Sequence, residues 1–157
     1  ATYNRTSSTG GTVGHPASAL KSYVITSPVY DAVDNTDLEQ GDIVQLIDLP
    51  ADTMIIGGAI QVLEASGNEQ ITFDVGVTSG ALTADALVDG GDSDATGFTG
   101  FSTTALHSNA VTAADTLDLL VIDGGSSKTT AWRFRAHAVL VDISKNPVES
   151  ATVSTGT

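Results

Sequence analysis

Cysteine is absent from the 157 residues, which excludes a disulfide framework and thiol chemistry and leaves the redox compartment open. Aromatic residues are scarce, with one Trp and three Tyr, a poor supply for the stacking platforms of sugar-binding clefts. Basic residues are scarce too. Six Lys and Arg stand against 19 Asp and Glu, and none of the six lies between Lys21 and Lys128. Phosphate recognition depends on Lys and Arg displacing counterions, so nucleic acid is not expected as a direct ligand. The acidic coat instead keeps a protein soluble and apart from its copies, or suits it to a basic partner. No apolar run approaches the ~18–20 residues of a membrane-spanning helix, so no membrane partner is expected. The opening Ala1-Thr-Tyr-Asn-Arg5 lacks the apolar core of a secretion signal, and synthesis in the cytoplasm is expected.

What the chain does contain is short apolar runs of period two. Gly41 to Val77 carries three of them, punctuated by Pro50-Ala-Asp52 and Ala65-Ser-Gly-Asn-Glu69, which is the pattern of paired strands with tight connections. Strands are predicted over Leu20–Thr26, Gly41–Leu49, Thr53–Ala65, Gln70–Val77, Thr116–Asp123 and Thr129–Ile143, the last two joined by a turn at Gly124-Gly-Ser-Ser127. Gly57-Gly58 inside the third strand predicts a bulge, a sharp bend or a close backbone. Residues 78 to 115 are small and Gly-, Ala-, Asp- and Thr-rich. They read as long loops with one or two short strands, plus a helical turn over Leu82–Val88 stopped by Gly90-Gly91. At this length one domain is expected to bury a core without metal or disulfide help. The fold expected is all-β, a jelly-roll-like sandwich of eight strands in two sheets over residues 20–144. An extended arm at 1–19 and a flexible tail at 145–157, both rich in Ser, Thr and Gly, flank it.

No constellation for catalysis emerges. His15, His107 and His137 are scattered and lack ligand spacing, so no metal centre is expected from them. No Gly-x-Ser-x-Gly elbow is present, and no Gly-rich stretch opens a phosphate-binding helix. Asp89, Asp92 and Asp94 resemble the opening of a calcium loop. However, Thr103 occupies the position where a bidentate Glu is required, so an acidic surface loop is the better reading. Asn4-Arg5-Thr6 matches a glycosylation acceptor and is read as chance. No cofactor is expected. The last strand is the most pointed feature. Trp132, Phe134, Ala136, Ala138 and Leu140 share one face, and Arg133, Arg135, His137, Val139 and Val141 the other. Two readings stand side by side: acids on neighbouring strands, such as Asp74 or Asp118, pair with these arginines, or the basic face meets another subunit.

The segment Gly41-Asp-Ile-Val-Gln-Leu-Ile-Asp-Leu-Pro-Ala51, then Ile56-Gly-Gly-Ala-Ile-Gln-Val62, then Thr72-Phe-Asp-Val-Gly-Val77, resembles small structural proteins of tailed bacteriophages. The resemblance is clearest over 41–77 and weak in the arms. It implies a non-enzymatic virion component with a jelly-roll or sandwich body, most like a head decoration (cement) protein. Such proteins are usually trimers sitting on the capsid exterior where subunits of the major capsid protein meet. Head-fibre, neck or tail components, binding carbohydrate or calcium, are the alternative it allows. No catalytic residues come with it. The interface candidates are Thr2, Tyr3, Arg5, Val13 and His15 in the arm, with Arg133, Arg135 and His137 on the last strand.

Overall fold

Eleven strands form two facing sheets in the computed structural model, which describes residues 2–4, 21–32, 38–66, 71–77, 83–106, 110–123 and 131–143. They are β1 (Thr2–Asn4), β2 (Lys21–Thr26), β3 (Tyr30–Asp31), β4 (Ile43–Leu49), β5 (Thr53–Glu64), β6 (Thr72–Gly76), β7 (Val88–Asp92), β8 (Gly97–Gly100), β9 (Ala110–Val111), β10 (Asp115–Asp123) and β11 (Arg133–Asp142). One sheet has the order β1-β4-β10-β6-β7 and the other β2-β11-β5-β8, with β3 against β11 and β9 against β5. Without the short strands β1, β3 and β9, the orders β4-β10-β6-β7 and β2-β11-β5-β8 are those of an eight-stranded jelly roll. Early strands pair with late ones, β2 with β11 and β4 with β10, both antiparallel.

Alternation along each strand places the core between the sheets. In β11 the residues Phe134, Ala136, Ala138 and Leu140 are buried, while Arg133 is exposed and Arg135, His137 and Val139 are half-buried. In β4 the alternation breaks at Leu46-Ile47, where both are buried. The register with β10 slips at the same place, between Leu117 and Asp118, so a bulge there turns two successive side chains inward. The two sheets meet through aromatic rings. Trp132 lies 4.3 Å from Phe134 on its own sheet and 5.8 Å from Phe73 on the facing one, and Tyr30 stacks on Phe134 at 5.2 Å. Each fully buried apolar side chain of this size contributes roughly 1.5–3 kcal/mol. One corner is stitched by polar groups, with the Ser93 and Ser66 hydroxyls 2.8 Å apart and the Ser93 hydroxyl 2.9 Å from the Ile71 carbonyl. These buried bonds tie the β5–β6 connection to the β7–β8 connection.

Several sequence expectations are corrected. Strand ends agree or differ by up to four residues, and among the described residues the strands number eleven rather than eight because of β1, β3 and β9. The Leu82–Val88 helical turn is not formed. Described residues 84–87 are turns and bends, and Gly90-Gly91 lie inside β7 rather than ending a helix. The register between β6 and β7 slips opposite Asp74, and the backbone N–H of Gly90 donates to Asp74 Oδ1 at 2.8 Å, which anchors that bulge. The arm is not wholly apart from the body either. Thr2–Asn4 add to β4 as a parallel edge strand, with Tyr3 opposite Val44. The turn expected at 124–127 and the tail at 145–157 lie outside the described residues.

Of the alternatives expected at Gly57-Gly58, a bulge and a close backbone are present. The β5–β11 register slips between Val139 and Leu140, leaving Ile56 as the extra residue. Gly58 sits at φ 151°. A Cβ there would fall on the His137 carbonyl oxygen and on the Phe101 ring.

Candidate interaction surface

The outer face of the β2-β11-β5-β8 sheet gathers chemistry from four strands. Register places Val139 beside Val24 and Gly57, His137 beside Thr26 and Ala59, and Arg135 beside Gln61, with Phe98 of β8 opposite Gln61. A hydrogen-bonded row runs across these strands. Gln61 Oε1 accepts from Arg135 Nε at 2.8 Å and from His137 Nε2 at 2.9 Å. Because that oxygen can only accept, His137 carries its proton on Nε2, and its Nδ1 accepts from the Thr26 hydroxyl at 3.0 Å. Burial, and then the adjacent Arg135 charge, hold His137 below the ordinary value of 6.5. It is therefore a neutral spacer at neutral pH and holds Thr26 and Gln61 in line.

Around this row the surface is flat and partly apolar. Gly57, Ala59 and Gly100 leave no long side chains standing up. Phe98 is 69% exposed and its ring lies 6.1 Å from the His137 ring, while Val24 is 51% exposed. At one end Arg133 Nε lies 3.2 Å from Asp31 Oδ2, and Glu64 is its β5 neighbour. Neither acid named from the sequence does this pairing. Asp74 and Asp118 belong to β6 and β10 of the other sheet, where Asp74 accepts from Gly90 and Asp118 Oδ1 from the Thr116 hydroxyl at 2.6 Å. The physical reason is topological: β11 is flanked by β2 and β5, not by β6 or β10.

The other candidates are dispersed. Thr2 and Tyr3 lie on β1 at the edge of the opposite sheet, while Arg5, Val13, His15 and His107 fall outside the described residues. Asp89 and Asp92 are strand residues of β7, and Asp92 Oδ1 accepts from the N–H of Asp94 at 2.9 Å. Among the described residues no three His, Asp or Glu side chains gather into a metal site. Thr26, Gln61, Val24 and Phe98 were not singled out from the sequence. Their partners are 74 to 111 residues away along the chain for Gln61 and Thr26, and no local pattern signals such a meeting.

No family model matches the sequence, and no curated protein matches it. Solved structures do resemble the fold. A chain of the Ralstonia phage GP4 capsid superposes with a TM-score of 0.57 at 18% identity, covering 83% of this chain and 88% of that one. A chain of the cyanophage Pam1 capsid asymmetric unit gives 0.58 at 14% identity, covering 82% and 89%. At such identities the likeness is one of fold, and it extends over more than four-fifths of each chain.

Proposed function

We propose that this protein is a non-enzymatic virion component, a decoration or cement protein of a phage head. It binds the outside of the expanded shell as a homotrimer and ties neighbouring major capsid protein subunits together. The observation that carries this reading is the match of fold, over more than four-fifths of the chain, to chains found in two phage capsids. The outer face centred on Arg135, His137 and Phe98 supplies a surface for protein contact, since aromatic and Arg side chains are favoured at interfaces over Lys.

The physical task suits such a molecule. Packed DNA pushes a shell outward, and a protein that binds only the expanded, closed state stabilises it by mass action. A rigid jelly roll spanning two shell subunits opposes their separation. The arm, with Arg5, Val13 and His15, extends the contact to shell subunits, while Thr2 and Tyr3 anchor its start on β4. An acidic exterior keeps finished particles apart. Synthesis in the host cytoplasm and a final place on the capsid exterior follow from this role.

The test is to mix the purified protein with expanded heads that lack it, sediment the heads, and image the particles. Co-sedimentation at saturable stoichiometry, with density on the outer shell and raised resistance of the heads to heat, is the expected result. Density confined to a neck, tail or fibre would replace the cement reading with that of a binding module at that place.

A further inference from the structure

The two sheets differ sharply in charge. The five strands β1, β4, β6, β7 and β10 contain seven Asp and no Lys or Arg. The strands of the other sheet contain three acids, Asp31, Glu64 and Asp142, balanced by Lys21, Arg133 and Arg135. Two of the seven, Asp74 and Asp118, are buried, yet the strand charge is still acidic on one side of the sandwich and neutral with a basic centre on the other. The two sides also differ in cover. Segment 83–87 folds over the outer side of β6, so close that a Cβ on Gly76 would overlap the Thr83 carbonyl. The β4–β10 half of the acidic face carries exposed Asp48 and Ile122.

From this we infer that copies of the chain associate head to tail. The outer face of β2-β11-β5-β8, with Val24, Phe98 and Arg135, packs on the β4–β10 half of the acidic face of the next copy, around Asp48 and Ile122. The inference rests on the reading that the protein self-associates, and it names the two faces that do so. Charge complementarity selects the occupant: the acids of its own face, Asp31 and Glu64, sit at Arg133, while Arg135 bonds only to the neutral Gln61 oxygen among the described residues, and a copy of the same chain can offer it an acid. The apolar part matches as well, because Phe98 and Val24 are the two most exposed large apolar side chains on their face and Ile122 is one on the other. The Thr26–His137–Gln61–Arg135 row keeps the first face flat and its guanidinium in one place. That reduces the ordering cost of docking. Because the two patches differ, the contact is heterologous and closes into a ring when the rotation between copies permits.

Two surface variants test it. Phe98→Asp spoils the first face, and the double change Asp48→Lys with Ile122→Lys spoils the second. Sedimentation velocity of the wild-type protein at high micromolar concentration and low salt should give an oligomer that weakens as salt screens the charges. Each variant alone should associate about 30-fold or more weakly, as loss of a central contact does. Mixed one to one, the variants should form dimers and nothing larger, because one intact patch of each kind remains. A wild-type monomer overturns the inference, as does either variant that associates like wild type, or a mixture that stays monomeric. A variant that melts early is replaced by Phe98→Ser or Asp48→Asn, scored in the same way. Attachment to heads is scored separately. A monomer that still coats heads removes the head-to-tail contact and keeps the cement reading, whereas an oligomer that ignores heads does the reverse.

Discussion

Two adjacent glycines in β5 should respond in opposite ways to the same added methyl group. At Gly58 the backbone has φ 151° and the new Cβ meets the His137 carbonyl and the Phe101 ring at once. The carbonyl belongs to the paired strand, and Phe101 is buried and bonded through its N–H to the Gly58 carbonyl at 3.0 Å, so neither gives way easily. Strained backbone costs roughly 1–3 kcal/mol, and overpacking adds typically 1–3 kcal/mol. Gly58→Ala should therefore lose about 2–6 kcal/mol. That is a large share of the ~5–15 kcal/mol that holds a domain folded, and at about 2–4 °C per kcal/mol for a chain of this size the melting point should fall by roughly 4–24 °C. At Gly57 the nearest atom to a Cβ is a Val139 methyl at 3.7 Å, ordinary contact, and the backbone is not left-handed. Gly57→Ala should be neutral or gain up to about 1 kcal/mol by restricting the unfolded chain. Both are read by thermal and urea unfolding at one protein concentration, because association shifts the midpoint. Equal losses at the two positions, or a Gly58→Ala protein that melts with wild type, would refute the close-approach argument.

Further outcomes follow from the packing and the charges. Phe134→Ala removes the ring shared by Tyr30 and Trp132 at 5.2 and 4.3 Å and should cost about 3–5 kcal/mol in urea unfolding; a cost below 1 kcal/mol would mean the aromatic bridge is not part of the core. Removing the Arg133–Asp31 pair should matter little, because the Arg133 side chain is 47% exposed. Arg133→Ala should lose less than about 1 kcal/mol, shrinking further in high salt. His137 is held below 6.5 by burial and by Arg135, so the folded state favours its neutral form. Its contribution is full above pH 6.5 and is lost as pH falls through the lower folded value. The wild-type melting point should drop more than that of His137→Gln between pH 7.5 and pH 5.5, and parallel curves would remove His137 from the balance.

The class of fold is legible in the residue pattern. Period-two burial is local, so β11 could be read from Trp132, Phe134, Ala136, Ala138 and Leu140 alone, and all five are buried. The Gly57-Gly58 pair likewise marked where a second backbone lies close, at Gly58, where a Cβ would fall on the His137 carbonyl, while the bulge itself sits just before the pair, at Ile56. Scarcity of Lys and Arg already placed the unusual charge on one strand face. Short strands were not legible: β3 and β9 have two residues each and exist only because a long strand lies beside them. The same holds for β1, whose three polar-rich residues gain their partners from β4. Which residues neighbour Arg135 and His137 was decided by tertiary structure alone. Strand order set Gln61 and Thr26 beside them and carried Asp74 and Asp118 to the opposite sheet, because pairing partners in a jelly roll are separated by most of the chain and local propensity holds no record of them.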